Sequence, residues 1–386
     1  MCVFVALLSA VLVSASAQGG SAPEVDPTAV DVPSLDVTAE PASGVNRRTP
    51  GSRAVTPLIA PLPFRNSQIG WGGALLVGLI HRFDDDTTVK PSTGMVGGLA
   101  SENGSWGVMA VEVARFKRDT WRVRGLINYL DLNYDFYGVG IDAGAAGRSV
   151  PLDQTVFMTG GVLLRRVAGN VYLGGSVLWL ETTVNLRDSL GPGLPPVPDQ
   201  SRTQLLAPGL QGEFDTRDND YWPARGSLAE LKARFFSTST GESGTFQRYT
   251  ASWSWYNGLR GGGDLVLVTN VNACAAPGDA PFYGLCTLGF GRYTMRGYTQ
   301  GRYRDHYGNV VQAELRGHRA RFGAVVFGSV GQVAETAGDI FEAVLLPAGG
   351  LGARYQLTAK YPMHLRLDYS WGRDGGLLYF SVGEAF

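Results

Sequence analysis

Leu288 to Arg304 reads LGFGRYTMRGYTQGRYR, a glycine-punctuated, arginine-rich loop set in a chain that otherwise reads as repeated amphipathic strands. An ordered, charged loop among such strands is the pattern of an outer-membrane β-barrel whose loop folds into its own interior. The rest of the chain bears on that reading from both sides of the loop.

Composition agrees with a membrane barrel. The 386 residues include 53 glycines and 8 tryptophans, and only 17% are charged, against a usual charged share of about 25% and a glycine share of about 7%. Many turns and a lipid-facing wall account for both departures. The net charge of -1 gives no electrostatic reason for a nucleic-acid partner.

Residues 1–17 carry an apolar run, Val3 to Val13, and end in Ala15-Ser16-Ala17, small residues of the kind that precede signal-peptidase cleavage before Gln18. No Lys or Arg precedes that run, so the true start codon is open, and Cys2 stands ahead of the run rather than at a lipoprotein cleavage point. Residues 18–55 are rich in Ala, Pro, Ser, Val and Asp without periodicity and read as a disordered periplasmic tail. Beyond residue 17 no apolar run approaches the roughly 20 residues of a spanning helix. A chain of this kind spans a bilayer only as a closed barrel.

From residue 56 onward, segments of about ten residues alternate apolar with small or polar side chains. Met363, Leu365, Leu367, Tyr369 and Trp371 alternate with His364, Arg366, Asp368 and Ser370, one row suited to lipid and the other to a wet lumen. Ala229, Leu231, Ala233 and Phe235 alternate with Glu230, Lys232 and Arg234, and Val311, Ala313 and Leu315 with Gln312, Glu314 and Arg316. A soluble sandwich alternates too. The strand ends favour the membrane: Tyr249, Trp253 and Trp255 resemble an aromatic girdle, and Leu378, Phe380, Val382 and Phe386 a terminal barrel strand.

Sixteen such strands are expected: 56–65, 69–82, 91–101, 105–116, 120–133, 153–167, 170–186, 203–215, 226–237, 246–259, 263–274, 309–319, 321–334, 346–358, 363–371 and 376–386. The fold class is thus an all-β, 16-stranded antiparallel transmembrane β-barrel over residues 56–386, with the sixth external loop folded into the lumen. If the first strand rises from the periplasm, short connections fall inside and the long ones, 134–152, 187–202 and 275–308, fall outside. Pro57, Pro61 and Pro63 in the first strand cannot donate to a ladder, which places them at an edge. In a closed barrel that edge is a short, weakly bonded seam with the last strand.

GEFDTRDNDYWPARG at 212–226 and MRGY at 295–298, followed by GRYRD at 301–305, resemble the BamA/TamA outer-membrane family, also called bacterial surface antigen. Asp215, Arg217, Asp218, Asn219, Pro223 and Gly226 match that family's D-x-R-D-N-x-x-x-P-x-x-G turn. Arg296, Gly297 and Tyr298 match its V-R-G-F-like lumen tetrad, with Met295 in place of the branched residue. NYDFYGVG at 133–140 and NGSWGV at 103–108 extend the likeness to about residues 55–386. The resemblance implies location in the bacterial outer membrane, contact with its lipids, a monomer, and a role in assembling outer-membrane proteins or translocating polypeptide or lipid. A client polypeptide or a separate periplasmic partner would then serve it.

The family's arginine meets a carboxylate in an F-x-D-x-G strand motif, whereas Phe327-Gly328-Ser329-Val330-Gly331 here puts Ser329 in the acid's place. Glu314 is the remaining candidate partner for Arg296, through a charged guanidinium fork; one solvated lumen arginine among several is the alternative. The segment 18–55 is too short and apolar-poor for the periplasmic POTRA repeats of family members that insert barrels, so a barrel-only member is expected.

Cys274 and Cys286 flank the start of the long loop in an oxidising compartment, where a disulfide or two buried thiols are both open. Asp215, Asp218 and Asp220 read as turn residues, and the four scattered histidines lack ligand spacing. No catalytic motif, cofactor loop or metal set emerges, so no enzyme, cofactor or metal is expected. The functional classes that stay open are an assembly or translocation barrel gated by its loop and seam, a passive solute pore lined by Glu230, Lys232, Arg234, Arg366 and Asp368, and a surface antigen acting through its external loops.

Overall fold

Period-two alternation is realised as a ring of sixteen antiparallel strands. The computed structural model describes residues 56–386 except 67, 82, 84–91, 187–201, 220–221, 241–243, 260–262, 289–294 and 357–363. The expected signal peptide and periplasmic tail lie outside the described residues. The strands are β1 (Thr56–Asn66), β2 (Gly70–His81), β3 (Ser92–Ser101), β4 (Trp106–Phe116), β5 (Trp121–Phe136), β6 (Val150–Ala168), β7 (Val171–Leu186), β8 (Arg202–Asp215) and β9 (Arg225–Thr240). They continue with β10 (Phe246–Gly258), β11 (Leu265–Ala275), β14 (Tyr307–Arg319), β15 (Phe322–Ala334), β16 (Leu346–Gln356), β17 (His364–Gly372) and β18 (Gly375–Val382). Each pairs with its sequence neighbour, and the ring closes between β1 and β18. Two short strands inside the long loop, β12 (Cys286–Thr287) and β13 (Arg304–Asp305), pair with each other.

The closure is uneven. β1 pairs with β2 along its whole length, from Thr56 opposite Ile80 to Asn66 opposite Gly70. Against β18 it has one paired position, Arg65 opposite Phe380. Pro57, Pro61 and Pro63 share one parity, so their missing N–H groups fall on a single edge, as a seam tolerates.

The outward row is apolar: Leu231, Trp253, Trp255, Leu367 and Trp371 are exposed, as lipid contact requires. The inward row differs from the expected wet lumen. Leu76, Met109, Leu130, Val156, Met158 and Leu180 form one buried apolar cluster on the β2–β7 side. Of the residues expected to line a pore, Glu230, Lys232, Arg366 and Asp368 are buried as well, and Arg234 is half-buried.

Among the boundaries that differ, those around the β5–β6 connection and at the end of the last strand shape the interior. The long connection between β5 and β6 is shortened by longer strands and holds a six-residue helix, α1 (Ile141–Ala146), too brief to leave a helical period in the sequence. The last strand ends at Val382 rather than Phe386. Gly383 adopts φ 93°, and the residues after it turn inward, where Phe386 packs on Tyr256, Val266 and Val268.

At the tight hairpin between β4 and β5, Lys117, Arg118 and Asp119 are all left-handed, with φ of 50°, 56° and 59°. Such non-glycine residues cost about 1–3 kcal/mol each. Asp119 restrains the turn: it accepts from Arg122 Nε at 2.9 Å and Nη2 at 2.6 Å and from the Tyr172 hydroxyl at 2.7 Å.

Candidate functional site

The loop segment Met295–Tyr298 descends to the middle of β14 and β17. Gly297 makes the approach feasible: its φ is 104°, and a Cβ there would sit 2.7 Å from the Ala348 Cβ and 2.9 Å from the Ser370 Oγ. Its N–H donates to the Tyr379 hydroxyl at 2.6 Å. Beside it, Arg296 is 1% exposed. One guanidinium nitrogen ion-pairs with Glu314, another donates to Asp368 at 2.7 Å, and the plane stacks 3.4 Å from the Phe327 ring centroid.

The two carboxylates serve more than the loop. Glu314 also accepts from Arg316 Nε at 2.7 Å, and Asp368 from Arg354 Nη1 at 2.5 Å. Arg354 in turn donates through Nε to Glu384 at 2.8 Å, and Arg316 through Nη2 to the Phe386 main-chain oxygen at 2.8 Å. Loop, wall and the inward-turned residues 383–386 therefore share one buried ionic network. Buried charges persist only when paired in this way.

Above the arginine, the loop is fixed by tyrosines and a second arginine pair. Tyr298 donates its hydroxyl to the Pro347 carbonyl at 2.8 Å, and Tyr303 to Asp374 at 3.0 Å. Burial, helped by Asp374, pushes the Tyr303 hydroxyl well above its ordinary range, so it stays a donor. Arg302 donates to the Gly144 carbonyl of α1 at 2.8 Å, and fully buried Arg304 to the Gly301 carbonyl at 2.6 Å. Met295 fills the space over Gly331. The base is held by a disulfide between Cys274 and Cys286, with Cα atoms 5.8 Å apart.

The described motif residues Asp215, Arg217, Asp218, Asn219, Pro223 and Gly226 lie at the connection between β8 and β9. Asp215 holds Arg217 through Nε at 2.9 Å and Nη2 at 2.8 Å. Asp218 accepts from the Ala224 N–H at 2.9 Å and Asn219 from the Trp222 N–H at 3.0 Å. Gly226 has φ 100°, and a Cβ would strike the Thr216 carbonyl. Pro223 is buried within the turn. Trp222 is thereby carried into the barrel mouth, its ring 4.5 Å from His364 and 5.4 Å from His318.

Residues 198–341, which contain both the turn and the loop, match the Omp85 superfamily domain. That segment is similar to the Omp85 superfamily, and the whole ring shares the fold of the BamA barrel. BamA from Haemophilus ducreyi lacking POTRA domains 1-3 matches with a TM-score of 0.58 at 14% identity, covering 86% of this chain and 70% of that one. CdiB from Acinetobacter baumannii has a TM-score of 0.55 at 14% identity, over 86% of this chain and 65% of its own. CdiB from Escherichia coli has a TM-score of 0.55 at 13% identity, over 88% and 63%. This chain thus spans somewhat less than two thirds of the CdiB chains. No curated protein matches it in sequence.

With Ser329 where the resembled motif has an acid, this barrel supplies the second carboxylate from elsewhere. Ser329 faces inward on β15 but makes no hydrogen bond to Arg296; Asp368, on β17, does. In the sequence Asp368 stands on the lumen row with nothing that links it to the loop. The only sign was parity, because Asp368 and Glu314 both stand on inward rows of nearby strands. Among the described residues no cluster of His, Cys, Asp and Glu could hold a metal ion.

Proposed function

We propose that this Omp85-type barrel serves outer-membrane assembly or translocation as a gated barrel: the Arg296 loop fills the lumen at rest, and passage or insertion requires opening of the β1–β18 seam. The observation that carries the reading is the contrast between the single β1–β18 pairing and the continuous ladder of β17 with β18, from Leu365 opposite Val382 to Gly372 opposite Gly375. A strand bonded fully on one side and barely on the other is the place where the ring parts at least cost.

The packed interior supports the same view. A lumen filled by an apolar cluster and a loop-borne ion network conducts poorly unless something moves. The substrate would be an apolar-faced polypeptide strand or a lipid entering through the seam, delivered by a separate periplasmic partner.

Cysteines at Arg65 and Phe380, the facing pair, test it in a Cys274→Ser/Cys286→Ser background. In planar bilayers the reduced double variant should show the fluctuating conductance of the unlocked barrel, and oxidation should suppress it. Steady conductance that ignores the crosslink would refute lateral opening and leave a passive pore.

A further inference from the structure

The outer wall carries a feature that the loop and seam do not use. Leu173 stands opposite Gly212, Gly212 opposite Leu231, Leu231 opposite Ala251, Ala251 opposite Ala273, and Ala273 opposite Asn309. The row crosses six adjacent strands at right angles to them. Leu173 lies at the periplasmic start of β7 and Asn309 at the external start of β14, so on tilted strands the row climbs diagonally across the membrane-facing surface. Small residues at its middle lower the floor; Leu231 and Tyr249 stand up from it.

The external end is roofed. The connection between β15 and β16 carries a 3-10 turn, Asp339–Phe341, and Ile340 and Phe341 overhang the row. The groove, open along the wall, has a volume of about 1010 Å³. Five strand spacings make it roughly 24 Å long. Phe341 is 88% exposed, and Val344 and Leu345 follow it, so the roof itself presents an apolar tip.

We propose that this groove binds the hydrocarbon chain of an outer-leaflet lipid, with the Asp339–Phe341 turn inserted in the membrane as its lid. Continuity with the lipid-facing wall identifies the occupant: the trough opens onto the same surface as exposed Leu210, Leu231 and Trp253. Its length suits an extended chain rather than a compact head group. The acidic residues around the lid, Glu335, Asp339 and Glu342, give an anionic head group no counter-charge there, so recognition falls on the chain. The inference is independent of the gating reading, since neither Arg296 nor the seam touches the groove.

The test uses the full chain purified from outer membranes in mild detergent and examined by native mass spectrometry. One lipid per barrel should be retained, and its mass distinguishes a phospholipid from lipid A. Ala251→Trp, which fills the floor, and Phe341→Ser, which removes the lid tip, should each lower the retained fraction at least tenfold while heat-modifiable gel mobility stays that of a folded barrel. As a second readout, a nitroxide on Phe341→Cys in phosphatidylethanolamine and phosphatidylglycerol vesicles should be reached by oxygen and shielded from a water-soluble quencher. Retention indifferent to both substitutions, a water-exposed label, or a dimer joined through this face would overturn the proposal.

Discussion

Glu314→Gln tests whether the lumen loop is held by charge. The substitution keeps shape and removes one carboxylate that serves three guanidiniums, Arg296, Arg316 and Arg354, at a fully buried position. A glutamine oxygen still accepts one hydrogen bond, but its amide points N–H groups at a guanidinium that only donates. Breaking a buried ion pair from one side costs about 3–5 kcal/mol. Asp368 and the Phe327 stack remain for Arg296, so the lower end of that range applies to the docked loop. At about 1.4 kcal/mol per factor of ten, the undocked fraction should rise roughly 100-fold. Tryptic cleavage after Arg302 or Arg304, both held inside the docked loop, reports that fraction when opening is faster than cleavage. Ser329→Asp in the same background should restore part of the protection by returning a carboxylate to the inward row of β15. Cleavage of Glu314→Gln within threefold of wild type would refute a charge-held loop.

Gly297→Ala should release the loop as effectively, because its Cβ meets Ala348 and its φ of 104° disfavours any side chain; hydrogen exchange across residues 295–305 would show it. Loss of the disulfide in Cys286→Ser should lower stability by about 3 kcal/mol for a loop of this length, read from urea unfolding in detergent with and without reductant. Burial alone would raise the Asp119 carboxyl, but the hydrogen bond and charge of Arg122, with Tyr172, hold it below its ordinary 3.8. That contribution is therefore complete above about pH 4 and lost as pH falls through the lowered value. Asp119→Asn should be less stable than wild type at neutral pH, with the gap closing on acidification; a gap that does not depend on pH would contradict the assignment.

Alternation made most of the ring legible, because in an antiparallel wall each residue's parity states which side it faces. The β8–β9 turn was equally readable, since Asp218, Asn219 and Gly226 each satisfy a local backbone need. Height along the barrel axis was not. Parity says that Glu314 and Asp368 face inward but not that they reach one guanidinium, which depends on the stagger accumulated over β14, β15, β16 and β17. The apolar inward cluster is illegible for a related reason: strands such as β2 carry apolar and small residues on both rows, so neither row announces water. Phe386 continued the apolar parity of Leu378, Phe380 and Val382, and the break lay in Glu384, a charge on the row assigned to lipid.

Residues 383–386 and the lumen loop lean on the same pair of acids through Arg316 and Arg354, and β18 is the strand from which those residues turn inward. Two events that draw on one set of partners are thermodynamically linked, and the linkage is symmetric. Whatever free energy undocking of Arg296 contributes to freeing β18, an occupant that wedges β18 away from β1 must return to the loop in equal measure. A client engaged at the side of the barrel would thus be felt at the external surface without crossing it.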